Sequence, residues 1–190
     1  ENANDGVTGY ISVLNSSLKS DNYVLSNFKG EVHSNEIIGN IKVYESSIVN
    51  NRIMGCVIAT QSSIYHNEIT GFINIIGSSL INNTISLEGT FEEKLSDCYL
   101  SGNCFAGGTL SISGTGENNE FKNMSIGSSA SFINATFDGC SLDFDSGCLF
   151  SCVLAECTFG MFNPTLIRDS NFINCNDVIE IKTSSSSYEE

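Results

Sequence analysis

Three short stretches of this chain are nearly the same stretch. Ser46-Ser47-Ile48, Ser62-Ser63-Ile64 and Ser78-Ser79-Leu80 recur at intervals of 16, each followed by an Asn and then an Ile: Asn51 and Ile53, Asn67 and Ile69, Asn83 and Ile85. A fixed period of this size marks stacked supersecondary units, each too small to bury its apolar face alone. The column Ile37, Ile53, Ile69, Ile85, Leu100, Phe121, Phe137, Leu154 and Phe172 carries the period along the chain with spacings of 16, 16, 16, 15, 21, 16, 17 and 18. Five residues before each stand Val32, Ile48, Ile64, Leu80, Leu95, Gly116, Phe132, Leu149 and Ile167, eight of them large and apolar. Two columns in step across nine turns predict a coil.

The residue types say what is coiled. Ile, Val, Phe, Ser, Thr and Asn suit strands and bends and are mediocre in helices. Apolar residues alternate in short runs, as in Ile69, Gly71, Ile73 and Ile75. Sixteen residues supply about three short strands and three bends. The expected fold is therefore all-β: a single parallel β-helix (a solenoid) of about nine to ten turns over residues 1–182, with rungs roughly 4.8 Å apart. Residues 183–190 read as a solvated, flexible tail.

An Asn ladder, Asn35, Asn51, Asn67, Asn83 and Asn119, lies two residues before the column. Asn tolerates left-handed backbone at a sharp bend, and stacked Asn side chains hydrogen-bond along an axis. Glu36, Arg52 and Glu68 fall in the next column, so opposite charges alternate up one face. Beyond residue 121 the inward places move from four and six after the column to three, five and seven after it, as in Cys140, Leu142 and Phe144 or Cys157, Phe159 and Met161. A one-residue change exchanges inward and outward faces. The bend must change length, and the long turn with Gly102, Gly107, Gly108, Gly114 and Gly116 is the place expected for it.

Cys56, Cys140, Cys157 and Cys175 share the place three after the column. They read as small, stacked, reduced core residues. Disulfides are the second reading, with Cys98–Cys104 and Cys148–Cys152 flanking bends, and metal binding the third, since paired C-x-x-C spacing is missing. His33 and His66 fall in different columns.

The 22 acids and 8 bases give a formal charge of −14, which disfavours nucleic-acid phosphate and anionic membranes. No segment approaches a membrane span. No phosphate loop, zinc-protease or nucleophile-elbow motif occurs, so no catalytic residue, cofactor or metal is expected. Asp138, Asp143 and Asp145 form the best acidic group, able in principle to serve acid–base chemistry or Ca²⁺, although a solubilising face is the plainer reading. Asn-x-Ser/Thr triplets at Asn15, Asn82, Asn123 and Asn134 arise easily by chance in such a composition.

The Ser-Ser-Ile…Asn-x-Ile-x-Gly turns and the Asn column resemble the right-handed parallel β-helix superfamily over roughly residues 9–181. That resemblance implies the fold, and it implies a role among surface adhesins, viral tail or fibre proteins, or polysaccharide-cleaving enzymes. Phe-x-Asn at Phe121, Phe132 and Phe172 is similar to repeats of polymorphic outer-membrane passengers, whose Gly-Gly-Ala-Ile partner motif this chain lacks. The pentad spacing is also similar to pentapeptide-repeat proteins, some of which mimic DNA with an acidic rod, though their turns have 20 residues. The expectation drawn is a non-enzymatic adhesive or fibre module, extracellular or on a cell or virion surface, that meets a glycan or protein and associates with its own copies. A carbohydrate-active enzyme or tail-spike-like binder and an acidic decoy for a basic protein are the alternatives.

Overall fold

The computed structural model describes residues 11–88 and 92–175. Twenty-three strands, with no helix among the described residues, form one continuous network in which every pairing is parallel. The fold is the expected β-solenoid. Each turn has three sides, defined by what points inward. In the turn beginning at Glu36, Ile37 anchors the first side, Ile41 and Val43 the second, and Ile48 the third, all at most 2% exposed.

The register corrects one stretch of the expected columns. On the first side Ile37, Ile53, Ile69 and Ile85 stack in order, but Ile85 pairs with Phe105, and Phe105 with Phe121. Leu100 instead lies on the third side, between Leu80 and Gly116. Leu95 belongs to the second side, above Ile75. The long turn thus runs from Ile85 to Phe105, and the next is an ordinary 16. Its extra residues fall between Ile85 and Glu93, where earlier turns need four residues from Ile69 to Ile73. Phe137, Leu154 and Phe172 follow Phe121 as expected.

Corners follow one rule. A residue with left-handed backbone is followed by a small or polar inward residue, and the next strand begins. The left-handed residues before the Asn ladder are Ser34, Asn50, His66, Asn82, Gly102 and Asn118, with φ of 53–63°. The ladder Asn residues are therefore not the bend residues; the sharp turn is made one position earlier. Between the first and third sides the ladder gains Asn103, so it runs unbroken through Asn35, Asn51, Asn67, Asn83, Asn103 and Asn119, all at most 3% exposed. Asn67 shows the bonding. Its Oδ1 accepts from the Asn51 N–H at 2.9 Å and Nδ2 at 3.0 Å, while its own Nδ2 donates to Asn83 Oδ1, Ile48 O and Tyr65 O at 2.9–3.0 Å. Ser46, Ser62 and Ser78 repeat this more simply at the third-side corner, Ser46 N–H donating to Ser62 Oγ at 3.2 Å and Ser62 N–H to Ser78 Oγ at 3.0 Å. The triplets at Asn15, Asn82, Asn123 and Asn134 are this corner rule written in sequence: each Asn has positive φ and an outward Ser or Thr opens or adjoins the next strand.

The bend between first and second sides does change between the halves. In Glu36–Tyr44, Arg52–Thr60 and Glu68–Ile76 one strand covers both sides, kinked at Gly39, Gly55 and Gly71. These glycines have φ of 135–149° and stack so closely that a Cβ on Gly55 would lie 2.3 Å from the Gly39 carbonyl oxygen. From Gly107 onward a left-handed corner replaces the kink, and residues three after the column (Met124, Cys140 and Cys157) point inward. The core changes as well. Phe105, Phe121 and Phe137 stack at 5.1 and 4.9 Å, nearly parallel, and Phe132 meets Phe121 edge-on at 5.5 Å. Gly116 has no side chain because Phe132 fills its place: a Cβ there would meet the ring at 2.8 Å. Met161, expected to face inward, is 56% exposed, and a register shift gives its place to Phe162. The tail 183–190 lies outside the described residues.

Candidate functional site

The outer surface of the third side differs from the other two. Its strands Ser47–Val49, Ser63–Tyr65 and Ser79–Ile81 are three residues of one repeated kind, with the middle side chain buried and the flanking two pointing out. Ser47, Ser63 and Ser79 form one outward row, and Val49, Tyr65 and Ile81 form the other. Ser47 Oγ and Tyr65 Oη are 3.1 Å apart. Over these rungs the strands carry no charged outward residue, in a chain of net charge −14. By contrast, the first side carries Glu36, Arg52 and Glu68, whose charges meet at 3.8 and 3.7 Å as the sequence suggested.

Farther along the third side there is a depression of about 190 Å³. Tyr99, Ile133 and Phe150 wall it, and Thr115, Gly116 and Ser131 form its floor. In the outward row the large Tyr99 is followed by the small Thr115 and Ser131, which leaves this gap. Glu117 stands at its rim and accepts the Tyr99 hydroxyl. That hydrogen bond pushes the Tyr99 phenol up from its ordinary value. Tyr99 and Ile133 are 40% and 46% exposed, so the wall faces solvent. Sequence reading misses this surface because it sets Leu95 and Leu100 in the wrong columns, which hides that Tyr99, Thr115 and Ser131 stand in one row. The signal is nonetheless present: the repeated outward Ser of Ser-Ile or Ser-Leu.

The acidic group does not converge. Asp138 is on the first side, in register with Lys122 and Ala155. Asp143 lies around the Gly139–Cys140 corner, on the second side, and Asp145 follows its strand. All three are exposed. Asp143 holds the neighbouring backbone instead. Its Oδ1 accepts the Met161 N–H at 2.7 Å, and Gly160 leaves room for it, since a Cβ there would lie 2.0 Å from that oxygen. No group of three His, Cys, Asp or Glu among the described residues is placed to hold a metal ion.

All eight cysteines are unbridged. Five of them, Cys98, Cys140, Cys152, Cys157 and Cys175, take the inward corner place that Asn and Ser fill elsewhere. Their thiols donate to the same two kinds of carbonyl, one two residues back and one a rung below. Cys157 Sγ lies 3.3 Å from Ala155 O and 3.4 Å from Phe137 O; Cys140 Sγ lies 3.5 Å from Asp138 O and 3.4 Å from Phe121 O. A hydrogen bond with Cys140, then burial, raises the Cys157 thiol, and burial raises those of Cys98 and Cys152. Cys98, Cys152 and Cys157 are thus held as neutral thiols of low reactivity. Cys56, counted with them by spacing, is in register with Phe72 but only half buried, beside the Gly55 kink, and donates its N–H to Asn40 Oδ1 at 2.9 Å. Cys98 faces inward and Cys104 outward, as do Cys152 and Cys148, so neither suggested disulfide pair points at its partner.

No family model matches the chain, and no curated protein matches it. Among solved structures it is similar to HetL, a pentapeptide repeat protein involved in heterocyst differentiation regulation from the cyanobacterium Nostoc, at 11% identity and a TM-score of 0.33, over 85% of this chain and 87% of that one.

Proposed function

We propose that this chain is a non-enzymatic recognition module, an adhesive solenoid acting at a cell or virion surface, whose third side binds an uncharged glycan. The observation that carries this reading is the uncharged outer face of Ser47–Val49, Ser63–Tyr65 and Ser79–Ile81 on that side, with a row of Ser hydroxyls running beside Val49, Tyr65 and Ile81 and leading to the depression walled by Tyr99, Ile133 and Phe150, where Glu117 stands at the rim. Sugar rings offer apolar C–H faces and hydroxyl edges. A tyrosine offers the matching pair of an apolar ring and a polar tip, and concave sites of mostly apolar lining with a few placed polar groups suit small-ligand portions. Rungs at about 4.8 Å repeat these groups at close to the length of one sugar unit. A neutral chain is preferred because acidic polysaccharide is repelled by the −14 charge.

The test is binding of purified protein to a glycan array, followed by titration of any hit against Ile133→Asp, an exposed position where the fold is retained. Neutral glycans should bind the unmodified chain, and Ile133→Asp should weaken them at least about tenfold by removing apolar wall and adding charge. Capture of no glycan, or equal binding by the variant, would remove this reading.

A further inference from the structure

One ionisable side chain points the wrong way. On the second side the inward column reads Ile41, Val57, Ile73, Glu93, Leu110, Ile126 and Leu142. Glu93 therefore stands where every neighbour along the axis is aliphatic. It is 0% exposed, and neither carboxyl oxygen has a hydrogen-bond partner. Burial is the largest effect on the carboxyl and raises its proton affinity; its own main chain and that of Thr109 act in the opposite direction. A buried polar group without a partner is rare enough to require a reason.

Its surroundings supply no charge. Leu110 pairs with it from the strand above, and the register of Lys94 with Asn74 sets Ile73 at its level on the strand below. Leu87 packs from the preceding strand, and Gly108, from the corner of the following turn, has no side chain to offer. A Cβ on Gly108 would lie 3.4 Å from Glu93 Oε2, so the carboxyl occupies the space that Met124 and Cys140 fill in later turns. Lys94 and Glu88, the charged neighbours in sequence whose side chains are described, point outward. None of the described side chains that face Glu93 can titrate.

The backbone there is also held from one side only. Glu92 and Glu93 pair with Thr109 and Leu110 above, whereas pairing to the strand below begins at Lys94 with Asn74. In Arg52–Thr60 each residue from Arg52 to Thr60 pairs with the next strand in unbroken register. The segment carrying the buried acid is thus the easiest in this part of the wall to peel away.

We propose that Glu93 is a proton-operated latch: protonated, it seals the solenoid wall at its long turn, and ionised, it drives residues 92–93 out of the sheet and uncovers Ile73 and Leu110. The direction follows from linkage. A carboxyl that holds its proton more tightly when closed favours the closed wall below its ordinary titration range. That preference is lost as the pH rises through the raised value. Each unit by which burial raises the affinity changes the closed-to-open ratio about tenfold.

Native-state hydrogen exchange of the unmodified chain between pH 4 and pH 8, as protection relative to intrinsic rates, tests this. Protection at residues 92–95 should fall at least about tenfold as the pH rises, while residues 52–60 stay flat. Glu93→Gln should abolish the difference. Parallel behaviour of the two segments, or of the two proteins, would overturn the latch. If Glu93→Gln does not fold, the carboxyl carbon of Glu93 in the unmodified chain decides by NMR titration: a midpoint above the ordinary Glu range supports the latch, and an ordinary midpoint ends it.

Discussion

The two halves of the solenoid hold the same backbone path with different chemistry. From Asn35 to Asn119 the corner before the first side is a file of six amides, each bonded to the next. The core beside its earlier rungs is aliphatic, with Ile dominant. Beyond it, Ala135, Cys152 and Ser170 take over the corner, and the file of amides ends. There the axis is lined by stacked and edge-on Phe rings instead. Rungs overlap only at Phe105 and Phe121, which have both. The difference teaches that a parallel coil needs some register-setting contact along its axis. Hydrogen bonds at the corner and aromatic faces in the core serve that need interchangeably.

Substitutions that remove each device should separate these roles. Asn67→Ala should have the largest effect, about 3–5 kcal/mol of unfolding free energy by urea titration. It deletes five side-chain hydrogen bonds and leaves the Asn51 N–H buried without its acceptor. Gly55→Ala comes next, at about 2–4 kcal/mol, because its Cβ meets main-chain oxygen and its φ of 149° is strained for any L side chain. Cys152→Ala should cost only about 1–2 kcal/mol, losing one weak thiol donor placed between two carbonyls and a small volume. Should Cys152→Ala prove as costly as Asn67→Ala, that corner in the second half would be as structural as in the first, and the comparison would fail.

Much of this architecture is legible in the sequence, and the misreadings have physical causes. Ile37 to Ile85 and Phe121 to Phe172 are legible because the turn length barely varies. Between them, Leu95, Leu100 and Phe105 are spaced by five and five, and either neighbouring pair mimics the two-column signature. Only register shows that Leu100 and Phe105 are the true pair. The bend residue is easily misplaced by one because Asn50-Asn51 and Asn82-Asn83 put the same residue type at both places. His66-Asn67 and Gly102-Asn103 separate them, and Gly102 marks the left-handed place. The third-side surface is hidden for the same reason as Leu100. Glu93 is invisible as a core residue because an acid inside the charged run Glu92-Glu93-Lys94 reads as solvated, and composition carries no sign of which way it points.

The regularity of the first half has a consequence for how such a chain can change in length. Arg52 through Asn67 is one complete unit, and excising it would join Asn51 directly to Glu68, presenting Ile37 with Ile69 and Asn51 with Asn83 in the same geometry as before. Shortening or duplication by whole units leaves every remaining neighbour satisfied, because each unit contacts only those beside it. The length of this protein is therefore a property that genetic slippage can adjust in steps of one unit, on one side of the long turn, without inventing any new contact.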